Sequence, residues 1–176
     1  MKRYGQVFLL AVGFDLYWTL VVLFREQGLV IWIALVVLFR EQGLVIWIAL
    51  AVLAWLLLPP SYRIYALVLA ASGALLHALW ALTGLIAFTG ASLMPLWMVA
   101  LWLMFATVWT QLTRTTTLPG WLLTVLATLG GPVAYLIGER LGAITFQEPT
   151  FIVVSWMFPG WLVLMLFFHL LIGRRQ

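Results

Sequence analysis

Apolar residues along this chain gather into long blocks separated by short polar or proline-bearing turns. The blocks cover residues 6–24, 44–58, 64–88, 93–112, 120–138 and 151–172. Pro59-Pro60 stops the second, and Pro95 falls in the first turn of the fourth, where proline is tolerated. A helix needs about 20 apolar residues to cross about 30 Å of hydrocarbon. The blocks therefore predict an all-α polytopic bundle of six spans, one transmembrane domain over residues 1–176. The second block is short for a span unless it begins before Leu44.

One interruption is of another kind. Residues 21–35, VVLFREQGLVIWIAL, recur without change at 36–50. Such identity marks a recent or engineered event or an error of record, and is no solenoid, which stacks at least three units. The copies place Arg25-Glu26-Gln27-Gly28 and Arg40-Glu41-Gln42-Gly43 around an apolar stretch from Leu29 to Phe39. As a helix that stretch reaches only roughly 16 Å, too short to span. It can lie at the interface or re-enter, lengthen a neighbouring helix, or span by dragging a charged tetrad inward at a cost. Lengthening or an interfacial lie is expected rather than a seventh span.

Charge placement orients the six. With the N-terminus inside, Lys2, Arg3, Arg63, Arg114, Arg174 and Arg175 are cytoplasmic with no acidic residue among them. Arg25, Arg40 and Arg140 fall outside beside Glu26, Glu41, Glu139 and Glu148. This is a positive-inside partition with both termini in, and a seventh span would break it. Tyr4, Tyr62, Tyr65 and Trp121 fall near the inner interface, as aromatic belts do. Met1-Lys2-Arg3-Tyr4 and Ala11-Val12-Gly13 resemble a cleavable leader, but the apolar run continues to Phe24 and contains Asp15, so an uncleaved first span is expected.

Composition agrees: 66% of residues are hydrophobic and 8% charged, where soluble domains are about 45–50% apolar and about 25% charged. The net charge of +4 comes from block ends rather than a basic tract, so no nucleic-acid partner is expected. No cysteine is present and histidine occurs only as His77 and His169, which leaves no expected metal site or cofactor. Phosphate-binding loops, dinucleotide fingerprints and hydrolase elbows are absent from the sequence.

A few polar positions within the blocks carry candidate chemistry. Asp15 and His77 lie near the middle of the first and third blocks, where an ionisable group costs at least about 2.5 kcal/mol and needs a partner or a wet cavity. Ala70, Gly73, His77, Ala81 and Gly84 share one helical face, as do Ala11, Asp15 and Thr19, so the two can meet inside the bundle. They would then handle protons or a polar ligand, or form a structural pair that fixes helix register. No nucleophile stands beside them, so no catalytic residue is assigned. Gly130-Gly131-Pro132 and Pro159-Gly160 are helix-break candidates, read either as a substrate site between interrupted helices or as packing kinks. The face Thr124, Thr128, Gly131, Tyr135 and Gly138 reads as packed or cavity-lining. Glu139-Arg140 either meets a headgroup or polar substrate or ends its helix as an ion pair. Gln111, Arg114 and His169 at inner ends ask for no special role, and Trp97, Trp102 and Trp109 read as lipid-facing or packing.

Four stretches in order carry a resemblance: Met94-Pro95-Leu96-Trp97, Ala100-Leu101-Trp102-Leu103-Met104-Phe105-Ala106-Thr107, Gly130-Gly131-Pro132-Val133-Ala134-Tyr135 and Leu141-Gly142-Ala143-Ile144-Thr145-Phe146. Together they resemble the DUF2878 family, small bacterial inner-membrane proteins of unassigned function. Where that pattern ends its fourth helix with Asn-His, Thr110-Gln111 stands here, so no imidazole role carries over. The tandem 15-mer is also foreign to the pattern. Such proteins are often encoded beside enzymes similar to cyclopropane-fatty-acid synthases. The resemblance therefore implies a link to membrane-lipid modification, with membrane lipids and a lipid-modifying enzyme as partners. A lipid-handling or accessory role is the leading expectation, a small proton-coupled transporter or a membrane-embedded enzyme the alternatives.

Overall fold

The computed structural model describes residues 10–19, 33–88 and 93–173, with the backbone alone for 33–43. The ends of the first block, most of the first 15-mer copy, and Lys2, Arg3, Arg25, Glu26, Arg174 and Arg175 lie outside the described residues.

Among the described residues six helices form the bundle: α1 (residues 10–19), α2 (Ile33–Leu57), α3 (Pro60–Leu82), α4 (Leu96–Thr115), α5 (Gly120–Arg140) and α6 (Thr150–Gly173). α3, α4, α5 and α6 are each long and apolar enough to cross a membrane. Proline starts all four. Pro59, Pro95, Pro119 and Pro149 precede the first turns, and their carbonyls accept from Tyr62, Met98, Leu122 and Ile152 at 2.8–3.0 Å. Their fixed φ presets helix entry, and the missing proline N–H is one the first turn would leave unpaired anyway.

The second helix absorbs the second 15-mer copy. α2 starts at Ile33 and runs unbroken through positions 40–43. From position 40 to Leu57 it rises roughly 26 Å, and its apolar part is Leu44–Leu57.

The third block ends earlier than expected. α3 stops at Leu82, and Ile86–Phe88 form a strand, β1, rather than a last helical turn. β1 pairs antiparallel with β2 (Ile144–Phe146), which follows α5, in the register Ile86↔Phe146, Ala87↔Thr145 and Phe88↔Ile144. Gly84 and Gly142 cause this, with φ of 72° and 67°. Each is the left-handed residue of a Schellman ending. Gly84 N–H reaches Ala81 O and Leu85 N–H reaches Trp80 O; Gly142 N–H reaches Glu139 O and Ala143 N–H reaches Gly138 O.

These matching endings belong to a larger internal repeat. The buried positions of α3, Ala66, Leu69, Gly73, His77 and Trp80, shifted by 58, become Thr124, Ala127, Gly131, Tyr135 and Gly138, all buried on α5. Gly73 packs under the Trp102 ring of α4, and Gly131 under the Trp161 ring of α6. The units α3-β1-α4 and α5-β2-α6 thus face each other about an approximate two-fold that passes between Ala87 and Thr145. Because α3 and α5 run the same way, that axis lies along the helices, the arrangement of parallel repeats in membrane proteins.

Helix α4 packs between α2 and α3, and α6 between α3 and α5. α1 lies against α2 and α4 through Tyr17, whose hydroxyl donates to Trp47 O at 3.1 Å, and Phe14, 5.6 Å from Phe105. At the end away from the strands, Arg63 donates to the Leu58 carbonyl at 3.0 Å. Arg114 there donates to Gln111 Oε1 at 3.0 Å and lies 5.7 Å from the Tyr62 ring.

Candidate functional site

The two repeat units meet their neighbours differently. On one side, α3 closes on α6: Trp80 and Leu76 press against Gly160, where a Cβ would stand 2.7 Å from the indole. On the equivalent side, α5 and α4 barely touch. Shifted by 58, Leu76 and Trp80 correspond to Ala134 and Gly138. The volume that fills the first seam is missing from the second, and a groove of about 430 Å³ lies there. α1 stands across it with Leu10, Phe14, Asp15 and Trp18. Its length, from Trp97 to Leu112 along α4, is roughly 22 Å. Its lining is almost wholly apolar, and Leu126, Val133 and Ile137 at its edge are exposed, so it opens sideways.

A polar cluster forms the back wall one to two turns below the strand end. His77 of α3 is 2% exposed. Trp102 Nε1 donates to its Nδ1 at 2.8 Å, and Tyr135 Oη lies 2.7 Å from Nε2 and 2.8 Å from Nδ1. An indole N–H can only donate, so Nδ1 accepts and the neutral ring carries its proton on Nε2. Tyr135 Oη then accepts from Nε2. The His77 ring is sandwiched by Tyr135 at 4.9 Å and Phe88 at 5.8 Å. His77 and Tyr135 are repeat equivalents, so the pair sits on the pseudo-two-fold.

The structure places the other sequence candidates as follows. Asp15 lines the same groove but is exposed on α1, and the side chains hydrogen-bonded to His77 among the described residues are Trp102 and Tyr135 rather than Asp15. α5 and α6 are each one continuous helix through Pro132 and Pro159, so the expected breaks do not occur. The glycines there serve close approach instead: Gly131 and Gly160 seat Trp161 and Trp80, while Gly130 faces open space within the groove. The small and polar face of α5 is the packed side, with Gly131, Tyr135 and Gly138 reaching the groove. Glu139 and Arg140 end α5 at the strand end and form no ion pair among the described residues. His169 is tied to Thr124 Oγ1 at 2.9 Å. Trp97, Trp102 and Trp109 line the groove, and Trp97 and Trp102 are 7% and 3% exposed, not lipid-facing. No cluster able to hold a metal exists among the described residues.

Sequence reading missed Tyr135 and Trp102 as partners of His77. The signal was present: Gly84-Leu85-Ile86-Ala87-Phe88 echoes Gly142-Ala143-Ile144-Thr145-Phe146, and the offset carries His77 onto Tyr135.

Fold and groove together define a helical protein built for a membrane, with an apolar lateral cavity backed by a buried histidine–tyrosine pair. Residues 7–167 match the model of DUF2878, a protein family of unknown function, and the chain belongs to that family. No curated protein and no solved structure matches it.

Proposed function

We propose that this protein binds a membrane lipid, taking one acyl chain into the groove between α1, α4 and α5, and that it serves the handling or modification of membrane lipid. In this reading it is a six-span protein of a bacterial inner membrane with the strand end outside and both termini in the cytoplasm. Among the described residues Arg63 and Arg114 stand unopposed by acid at the other end, as the positive-inside rule asks.

The groove carries the proposal. A lining that is almost wholly apolar over about 430 Å³ is poorly served by water. Something apolar fills it, and a groove that opens sideways within the bilayer meets acyl chains first. The alternatives draw less on what is present. A carrier that binds substrate between broken helices would need interruptions, and α5 and α6 have none.

Native mass spectrometry of the full chain, released from its membrane in mild detergent, tests the reading. The protein is expected to retain lipid at about one molecule per chain. Gly130→Phe should reduce that occupancy severalfold, because a side chain there enters the groove while its Cβ meets nothing within 4 Å. Unchanged lipid retention in a folded Gly130→Phe protein would refute the groove as the site.

A further inference from the structure

We infer that the groove recognises its lipid through an uncharged hydrogen-bond acceptor, the carbonyl of an ester-linked acyl chain; this rests on the lipid reading above. Trp97, Trp109 and Trp161 all line the groove and have buried indole nitrogens with no partner among the described residues; Trp97 and Trp161 are 7% and 6% exposed. Leaving a buried donor unpaired is costly, so three in one cavity wall point to a ligand that supplies acceptors. The wall thus offers donors and asks for acceptors.

The acceptor is uncharged. No Lys or Arg lines the groove among the described residues, and Asp15 places a carboxylate along it. A fatty-acid carboxylate or a phosphate inside would be unpaired and repelled. Depth selects the ester. Trp97 sits in the first turn of α4, and Tyr135 lies roughly 7.5 Å below the end of α5 at Arg140. An acyl carbonyl anchored beside Trp97 leaves a groove of roughly 22 Å toward Leu112. That length accommodates one acyl chain and is short for a polyprenyl tail.

The test compares a diester phosphatidylcholine with its diether analogue of identical chains, titrated onto the full-length protein after its own lipid has been removed. Occupancy is read by native mass spectrometry, with palmitate and a long-tailed quinone as further probes. The diester should bind about three- to tenfold tighter than the diether, the worth of one buried hydrogen bond. Trp97→Phe keeps the ring and removes only an N–H that has no protein partner, so it should fold, bind the diether as before and lose the preference. Trp161→Phe is the second variant. Equal affinity for diester and diether, or a preference that survives both substitutions, overturns the carbonyl while leaving the lipid site standing. Tighter binding of palmitate or the quinone overturns it as well. Failure of every probe to bind overturns the lipid reading itself.

Discussion

Gly130 and Gly131 are neighbours on α5 with opposite surroundings, and they make a controlled experiment on what this fold can absorb. A Cβ at Gly130 meets nothing within 4 Å, whereas a Cβ at Gly131 overlaps the Trp161 ring. Mid-helix glycine costs about 1 kcal/mol relative to alanine, so Gly130→Ala should stabilise by about 0.5–1 kcal/mol. Gly131→Ala gains the same propensity but must displace an indole. Trp161 cannot give easily: it stacks on Trp102 at 5.4 Å, and Trp102 in turn covers Gly73. Overpacking of this kind costs about 1–3 kcal/mol. At about 2–4 °C per kcal/mol for a chain of this size, the two variants should melt several degrees apart, on opposite sides of the parent. Heat unfolding in one mild detergent, followed by near-ultraviolet circular dichroism of the buried tryptophans, reads it directly. Both alanines shifting the melting point in the same direction would refute the glycine–indole packing.

Two further outcomes are expected. Tyr135→Phe removes the acceptor of His77 Nε2 and should destabilise by about 1–3 kcal/mol, the cost of an unpaired buried donor; a melting point at the parent value would show that the pair is not formed. Deleting residues 21–35 leaves the same sequence as deleting 36–50. Since the groove is lined by α1, α4 and α5 with His77, Ala143, Ile144 and Trp161 and, among the described residues, by none of α2, the shortened chain should keep its lipid occupancy; loss of lipid in a folded deletion protein would contradict this.

The four long apolar helices α3, α4, α5 and α6 were legible because a bilayer sets one length and their apolar runs approach it. The ends of α3 and α5 were not. Ile86-Ala87-Phe88 is as apolar as the helix before it, and in a block without a polar face no periodicity marks where helix gives way to strand. Only Gly84 and Gly142 carried the signal, and glycine within an apolar run reads first as a packing residue. His77 was legible as a buried polar group but its partners were not, because Trp102 and Tyr135 count as apolar on any hydropathy scale and show their polar edges only when paired. Likewise Gly131 beside Pro132 reads as an interruption. A helix tolerates both where a neighbouring ring, here Trp161, occupies the space a side chain would take.

The groove follows from the repeat rather than from any added element. Two copies of one helix–strand–helix unit, related by an approximate two-fold, present two equivalent seams. In the first, Leu76 and Trp80 of α3 fill the space against Gly160 of α6. In the second, the same positions on α5 are Ala134 and Gly138, and nothing of comparable size replaces them. Without a hydrophobic driving force between helices in lipid, association depends on packing, so a seam stripped of its two largest side chains stays open and α1 covers it only in part. The axis that relates the units also brings His77 against Tyr135, each donor or acceptor to the other, at the back of that opening. Divergence at a pair of packing positions thus separates a sealed seam from a lined cavity, while the shared Gly-x-Ile-x-Phe endings hold both units in register at the strand end.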